Sequence, residues 1–112
     1  MKIYHNPRCR KSREGLKYLE SKKINFKIIE YFKNNLSSEQ IRNILKKLQF
    51  KPIELVRKNE VVWKEKYKGK DFSDDELIII LSNEPKLIER PIIVGENSAV
   101  LARPVENIDK LL

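Results

Sequence analysis

Apolar positions alternate or cluster tightly in some stretches of this chain and recur every three to four residues in others. Lys2 to Tyr4 has the character of a short strand, and the Asn6-Pro7 pair that follows is a loop signal. From Cys9 to Ser21 the spacing of Leu16 and Leu19, with Tyr18 beside them, predicts a helix whose outer face carries Glu14, Lys17 and Glu20. Pro7 suits a position just ahead of that helix, where a missing N–H costs nothing. Asn25 to Tyr31 is rich in β-branched and aromatic side chains and predicts a second strand. Strand, helix, strand in this order implies a right-handed crossover with parallel strands.

The middle of the chain is helical in pattern. Ser37 is a good N-cap with Gln40 three residues on, and Ile41, Ile44, Leu45 and Leu48 form one apolar face. Pro52 starts a short helix through Ile53, Leu55 and Val56. A further helix is predicted from Val61 to Tyr67, ended by Gly69. Ser73 with Glu76 repeats the capping signature ahead of Leu77, Ile78, Ile80 and Leu81, and Pro85 stops that helix. The strand character then returns. Arg90 to Gly95 and Ala99 to Ala102 read as a hairpin turning around Glu96-Asn97. Pro104 closes it, and Val105, Ile108, Leu111 and Leu112 predict a last helix.

The order is therefore β-α-β, a helical insertion at about residues 37–86, and β-β-α. No repeat, low-complexity tract or linker interrupts it, so residues 1–112 are expected to form a single domain. The fold class expected is α/β, a thioredoxin-like three-layer α/β/α arrangement around a four-stranded mixed sheet. In that fold a cis proline often precedes the third strand and faces the active cysteine, which makes Arg90-Pro91 the candidate.

Composition narrows the setting. Charged residues make up 36% of the chain and hydrophobic residues 40%, a balance that suggests neither disorder nor a membrane protein. The polar N-terminus is no signal peptide, and one cysteine forms no internal disulfide, so a cytoplasmic setting is expected. The net charge of +8 raises the question of nucleic acid. The lysines are spread along the chain rather than gathered on one helix, which reads as a solvated surface and not as specific DNA binding. A small anionic substrate suits the same sign of charge. One histidine and one cysteine make no metal site. A monomer is expected.

Cys9 is the side chain most suited to chemistry. It lies at the predicted start of the first helix, where the backbone dipole favours an anion, with Arg8, Arg10, Lys11 and Arg13 within four positions. Both effects favour the thiolate, which is the reactive form. The bland alternative, a buried cysteine acting as a small hydrophobe, fits poorly among polar and charged neighbours. In an open α/β sheet this point, between the first strand's end and the first helix's beginning, is also where ligands gather.

The run His5-Asn6-Pro7-Arg8-Cys9-Arg10-Lys11-Ser12-Arg13 resembles the active-site loop of the glutaredoxin-linked arsenate reductase family. Leu55 to Glu60, Leu87 to Val94 and Ala102 to Glu106 are similar to its later motifs, in the right order and over essentially the whole chain, with the length of the family's short members. The resemblance implies Cys9 as nucleophile, Ser12 as a helper hydroxyl near the sulfur, and Arg57, Arg90 and Arg103 as oxyanion ligands. Arginine offers a rigid fork that matches a tetrahedral anion. Ser12, three residues after Cys9 on a helix, has a hydroxyl able to reach the sulfur. His5 either orients the thiol and lowers its pKa or is a satisfied structural histidine. Asn6 braces the loop, Pro91 faces the cysteine, and Arg13 tunes the field or pairs with a nearby acid.

What the resemblance implies chemically is reduction of arsenate to arsenite, with glutathione as co-substrate, glutaredoxin as the partner that recycles Cys9, and no bound cofactor. A phosphatase-like loop would place an arginine six residues after the cysteine. Here Arg13 falls four after it and position 15 is Gly15, so that class is rejected. Two alternatives stay open: a glutathione-dependent thiol reductase of another substrate, and a regulator resembling the Spx group that binds RNA polymerase. The Cys-x-x-Cys switch typical of that group is absent from Cys9-Arg10-Lys11-Ser12.

Overall fold

A computed structural model describes all 112 residues. The elements run β1 (Lys2–Tyr4), α1 (Arg10–Ser21), β2 (Lys27–Ile29), α2 (Ser38–Leu48), a 3₁₀ turn (Pro52–Leu55), α3 (Val61–Lys66), α4 (Asp74–Asn83), a 3₁₀ turn (Pro85–Leu87), β3 (Ile92–Val94), β4 (Ala99–Leu101) and a closing 3₁₀ helix (Val105–Leu111). The chain divides into two compact units, residues 1–34 with 90–112, and residues 35–89. No helix is long and apolar enough to cross a membrane.

The first unit contains one sheet of order β2-β1-β3-β4. Strands β1 and β2 are parallel, with Ile3 opposite Ile28; β3 runs antiparallel to both β1 and β4. This is the mixed four-stranded sheet of the thioredoxin-like α/β class, joined by the β1-α1-β2 crossover and the β3-β4 hairpin. Ile3, Leu19, Ile93, Ala102 and Ile108 form its dry centre, with Leu16, Phe26, Val100 and Leu111 packed against them. Burying each large side chain contributes about 1.5–3 kcal/mol, which is what holds α1 and the closing helix to the sheet. Gly15 marks the closest approach of α1: a Cβ there would lie 2.8 Å from Pro91 Cγ.

Strands are shorter than the pattern predicts. The residues from 25 to 31 contribute only three to β2, and Pro91, which has no N–H for the ladder, stands outside β3. Its carbonyl still accepts from Ala102 N–H at 2.9 Å. The Arg90-Pro91 peptide is cis, and so is Arg103-Pro104, which the sequence did not single out. The last helix is 3₁₀ over Val105–Leu111. Val105, Ile108 and Leu111 are three apart, the spacing that a 3₁₀ helix places on one line.

The second unit is built on the two capping boxes read from the sequence. Ser37 Oγ accepts from Gln40 N–H while Gln40 Oε1 accepts from Ser37 N–H, and Ser73 and Glu76 repeat the pattern. Asp74, Asp75 and Glu76 add negative charge to the first turn of α4, where the helix dipole favours it. Ile41, Ile44, Leu45 and Leu48 of α2, with Leu77, Ile78 and Leu81 of α4, are buried. Ser82 Oγ donates to Leu36 O at 2.6 Å and fixes the start of the unit against α4. A lone antiparallel bridge, Val56 to Ile88, closes it. Gly69, at φ +82°, carries the turn after α3.

Candidate functional site

Cys9 is the N-cap residue of α1, in extended conformation at φ −93° and ψ 123°. Its N–H donates to Asn6 O and its carbonyl accepts from Arg13 N–H, both at 3.0 Å, so the sulfur is held by a loop closed on both sides. The loop is braced twice more. Asn6 Oδ1 accepts from Arg8 N–H at 3.1 Å, and Arg13 Nη1 donates to Pro7 O at 3.0 Å. Arg13 thus clamps the loop's main chain rather than pairing with an acid.

The thiol is half-buried. Burial pushes its pKa up, but interaction with the Arg90 guanidinium, with the Ser12 and Lys11 N–H groups of the first helical turn, and with the Arg90 charge outweighs that and leaves it below the ordinary thiol value. Arg90 is itself buried, at 8% exposure. Its guanidinium lies 5.8 Å from the centre of the Phe32 ring, a cation–π distance that restrains it beside the sulfur. Phe32 was missed in the sequence, because nothing in its neighbourhood there distinguishes it from a core aromatic.

Ser12 is fully buried, and its hydroxyl points away from the role expected of it. Oγ accepts from Asn6 N–H at 2.9 Å and pairs with His5 Nδ1 at 2.7 Å. What Ser12 offers the sulfur is its main-chain N–H. His5 is buried at 4% exposure and its main-chain N–H donates to Ile29 O at 2.8 Å. Burial holds the imidazole below its ordinary pKa, against the raising effects of the Glu30 charge and Ser12, with the Arg13 charge adding to the lowering. A neutral ring hydrogen-bonded to Ser12 therefore fixes the β1-to-α1 loop.

Arg103 Nε donates to Arg90 O at 2.7 Å. Cys9, Ser12, His5, Asn6, Arg13, Arg90, Pro91 and Arg103 all belong to the first unit. Arg57 belongs to the second, where Glu60 Oε1 lies 2.9 Å from Nη1 and Glu89 Oε1 lies 3.5 Å from Nε. Its N–H donates to Leu87 O at 2.7 Å. Its guanidinium is held by two carboxylates there. No cluster of three or more histidine, cysteine or acidic side chains is arranged to hold a metal ion. A thiolate beside guanidinium groups and helix N–H donors is equipped to attack an electrophile that arrives as an anion.

The chain is similar over its full length to known proteins. It is 36% identical over 112 residues to the arsenate reductase of Haemophilus influenzae, covering 98% of this chain and 97% of that one. It is 32% identical over 114 residues to an arsenate reductase of Neisseria meningitidis, covering 100% and 97%. Among solved structures, an arsenate reductase from Vibrio cholerae superposes with a TM-score of 0.93 at 37% identity, covering 100% of this chain and 98% of that one. The ArsC family profile matches residues 4–111. With the loop at Cys9, the sheet order and these matches in agreement, the chain belongs to the ArsC family.

Proposed function

We propose that this protein is an arsenate reductase with Cys9 as its nucleophile and glutathione as its reductant. The observation that carries the reading is the sulfur held below its ordinary pKa by Arg90 and the first-turn N–H groups. The relatives named arsenate reductase support the substrate. In the first step the Cys9 thiolate bonds to arsenic(V), and one oxygen leaves as water after taking up protons. Arg90 and Arg103, with the helix N–H donors, disperse the charge of the oxyanion as that bond changes. Glutathione thiolate then attacks the Cys9 sulfur. An S–S bond forms, the S–As bond breaks, and its electron pair stays with arsenic, which departs as arsenite.

Cys9 is the chain's single cysteine, so the resulting mixed disulfide needs an outside thiol. Glutaredoxin takes the glutathionyl group and returns Cys9 to the thiolate. His5, Ser12, Asn6 and Arg13 hold the loop, and Pro91 fixes Arg90 in position. The test is arsenite release by purified protein with arsenate, glutathione and glutaredoxin. Turnover abolished in Cys9→Ser and weakened in Arg90→Ala is the expected result. No arsenite from the wild-type protein, with capture of purified RNA polymerase instead, would overturn the reading in favour of the regulator.

A further inference from the structure

A cleft of about 410 Å³ opens beside the reactive loop, lined by Lys11 and Glu14 of α1 and by the run from Ala102 to Glu106. Its size lies within the range of roughly 300–1,000 Å³ typical of small-molecule sites. One wall is the first turns of α1 and the other is the segment after β4. Between them lies Ala102, whose Cβ is 3.9 Å from where a Cβ on Gly15 of α1 would stand.

Two features place this cleft next to the sulfur. Lys11, which lines it, stands in the first turn of α1 two residues after the N-cap Cys9, and its N–H acts on the Cys9 thiol. Arg103 lines it and is bonded through Nε to Arg90 O, while the Arg90 guanidinium holds that thiol. The walls carry both signs of charge. Lys11 Nζ is 3.7 Å from Glu14, with both side chains well exposed, a surface pair worth little by itself and easily exchanged for a ligand's carboxylate. Glu106 is exposed on the opposite wall. A ligand suited to this lining is small and carries two carboxylates and an ammonium, with its reactive group between them.

We propose that this cleft seats the charged ends of glutathione, Lys11 taking a carboxylate and Glu106 the ammonium, with the thiol directed at Cys9. The inference rests on the reading above in naming glutathione as the reductant. It makes that thiol a bound second substrate instead of one met by free collision.

The test needs no arsenate. Cys9 thiolate attacks glutathione disulfide, forming the Cys9–glutathione disulfide and releasing glutathione thiolate. Its rate is compared with that on bis(2-hydroxyethyl) disulfide, which is neutral and lacks the charged ends. Lys11→Glu is expected to lower the rate on glutathione disulfide on the order of tenfold relative to the neutral disulfide. Glu106→Ala should lower it severalfold, and Lys11→Ala should fall between. The neutral disulfide reads any change in the thiol itself, including the carboxylate that Lys11→Glu brings near it. Equal losses on both disulfides, or no loss on either, would overturn the cleft. If the wild-type protein discriminates between the disulfides yet releases no arsenite, the cleft stands and the arsenate reading falls. Arsenite release without such discrimination leaves the reading intact and removes the cleft.

Discussion

Arg103 donates its Nε–H to the main-chain oxygen of Arg90 at 2.7 Å, so the two arginines at the open ends of the β3-β4 hairpin are tied through one carbonyl. One of them reaches the Cys9 sulfur. The hairpin therefore fixes where positive charge meets the thiolate, and Phe32 beneath the Arg90 guanidinium fixes it from the other side.

Arg90→Ala removes the strongest of the influences that lower the Cys9 pKa while leaving the burial that raises it. The thiol pKa is expected to rise, read as an upward shift in the midpoint of alkylation rate against pH. Arsenite turnover should fall about a hundredfold or more, the usual loss when an oxyanion donor is removed. Because the native pKa of this acid is depressed, its ionisation stabilises the fold above the unfolded-state pKa. That contribution disappears as pH falls through the native value. A Cys9→Ser comparison of urea midpoints across that window should show it, and should show no such difference below it.

Burial holds His5 neutral in the native state. An unfolded chain takes up a proton at its ordinary pKa of about 6.5. The unfolded state therefore binds more protons below that pH, and stability drops as pH falls beneath it. His5→Asn keeps a polar group near Ser12 Oγ without titrating. The slope of unfolding free energy between pH 7.5 and 5.5 should be shallower in the variant; equal slopes would assign the loss to other groups.

Gly15→Ala sets two effects against each other. Alanine in a helix gains about 1 kcal/mol over glycine. The added Cβ would meet Pro91 Cγ at 2.8 Å, and a fully buried proline ring has no rotamer by which to move aside. Overpacking of this kind costs about 1–3 kcal/mol. Net destabilisation of about 1 kcal/mol is expected by chemical denaturation, together with slower alkylation of Cys9 as Arg90 shifts with its neighbour.

Ser37→Ala breaks one capping box of the second unit and should cost about 1 kcal/mol. Ser37→Asp keeps an acceptor at the same place and should recover most of that loss.

How much of this was legible in the chain follows the range of each interaction. Both capping boxes lie within four residues and are legible at Ser37 and Ser73, as are the order of elements along the chain and the cis peptide at Pro91. The closing helix was located, but its 3₁₀ character was overlooked, although the three-residue spacing of Val105, Ile108 and Leu111 carried the signal. The destination of the Ser12 hydroxyl was not legible. Helical spacing brings it near Cys9, while His5 and Asn6 reach it across the loop, and only the fold decides between them. For the same reason Phe32 and the clamp from Arg13 to the Pro7 carbonyl came from the structure alone.

The first unit is assembled from two separate stretches, residues 1–34 and 90–112. Arg90, whose guanidinium lowers the Cys9 pKa, follows that cysteine by about eighty positions and is translated well after it. Over that interval a nascent chain carries the thiol with only its local helix N–H groups to favour the anion. The full depression of its pKa waits until the second stretch has been made and has docked.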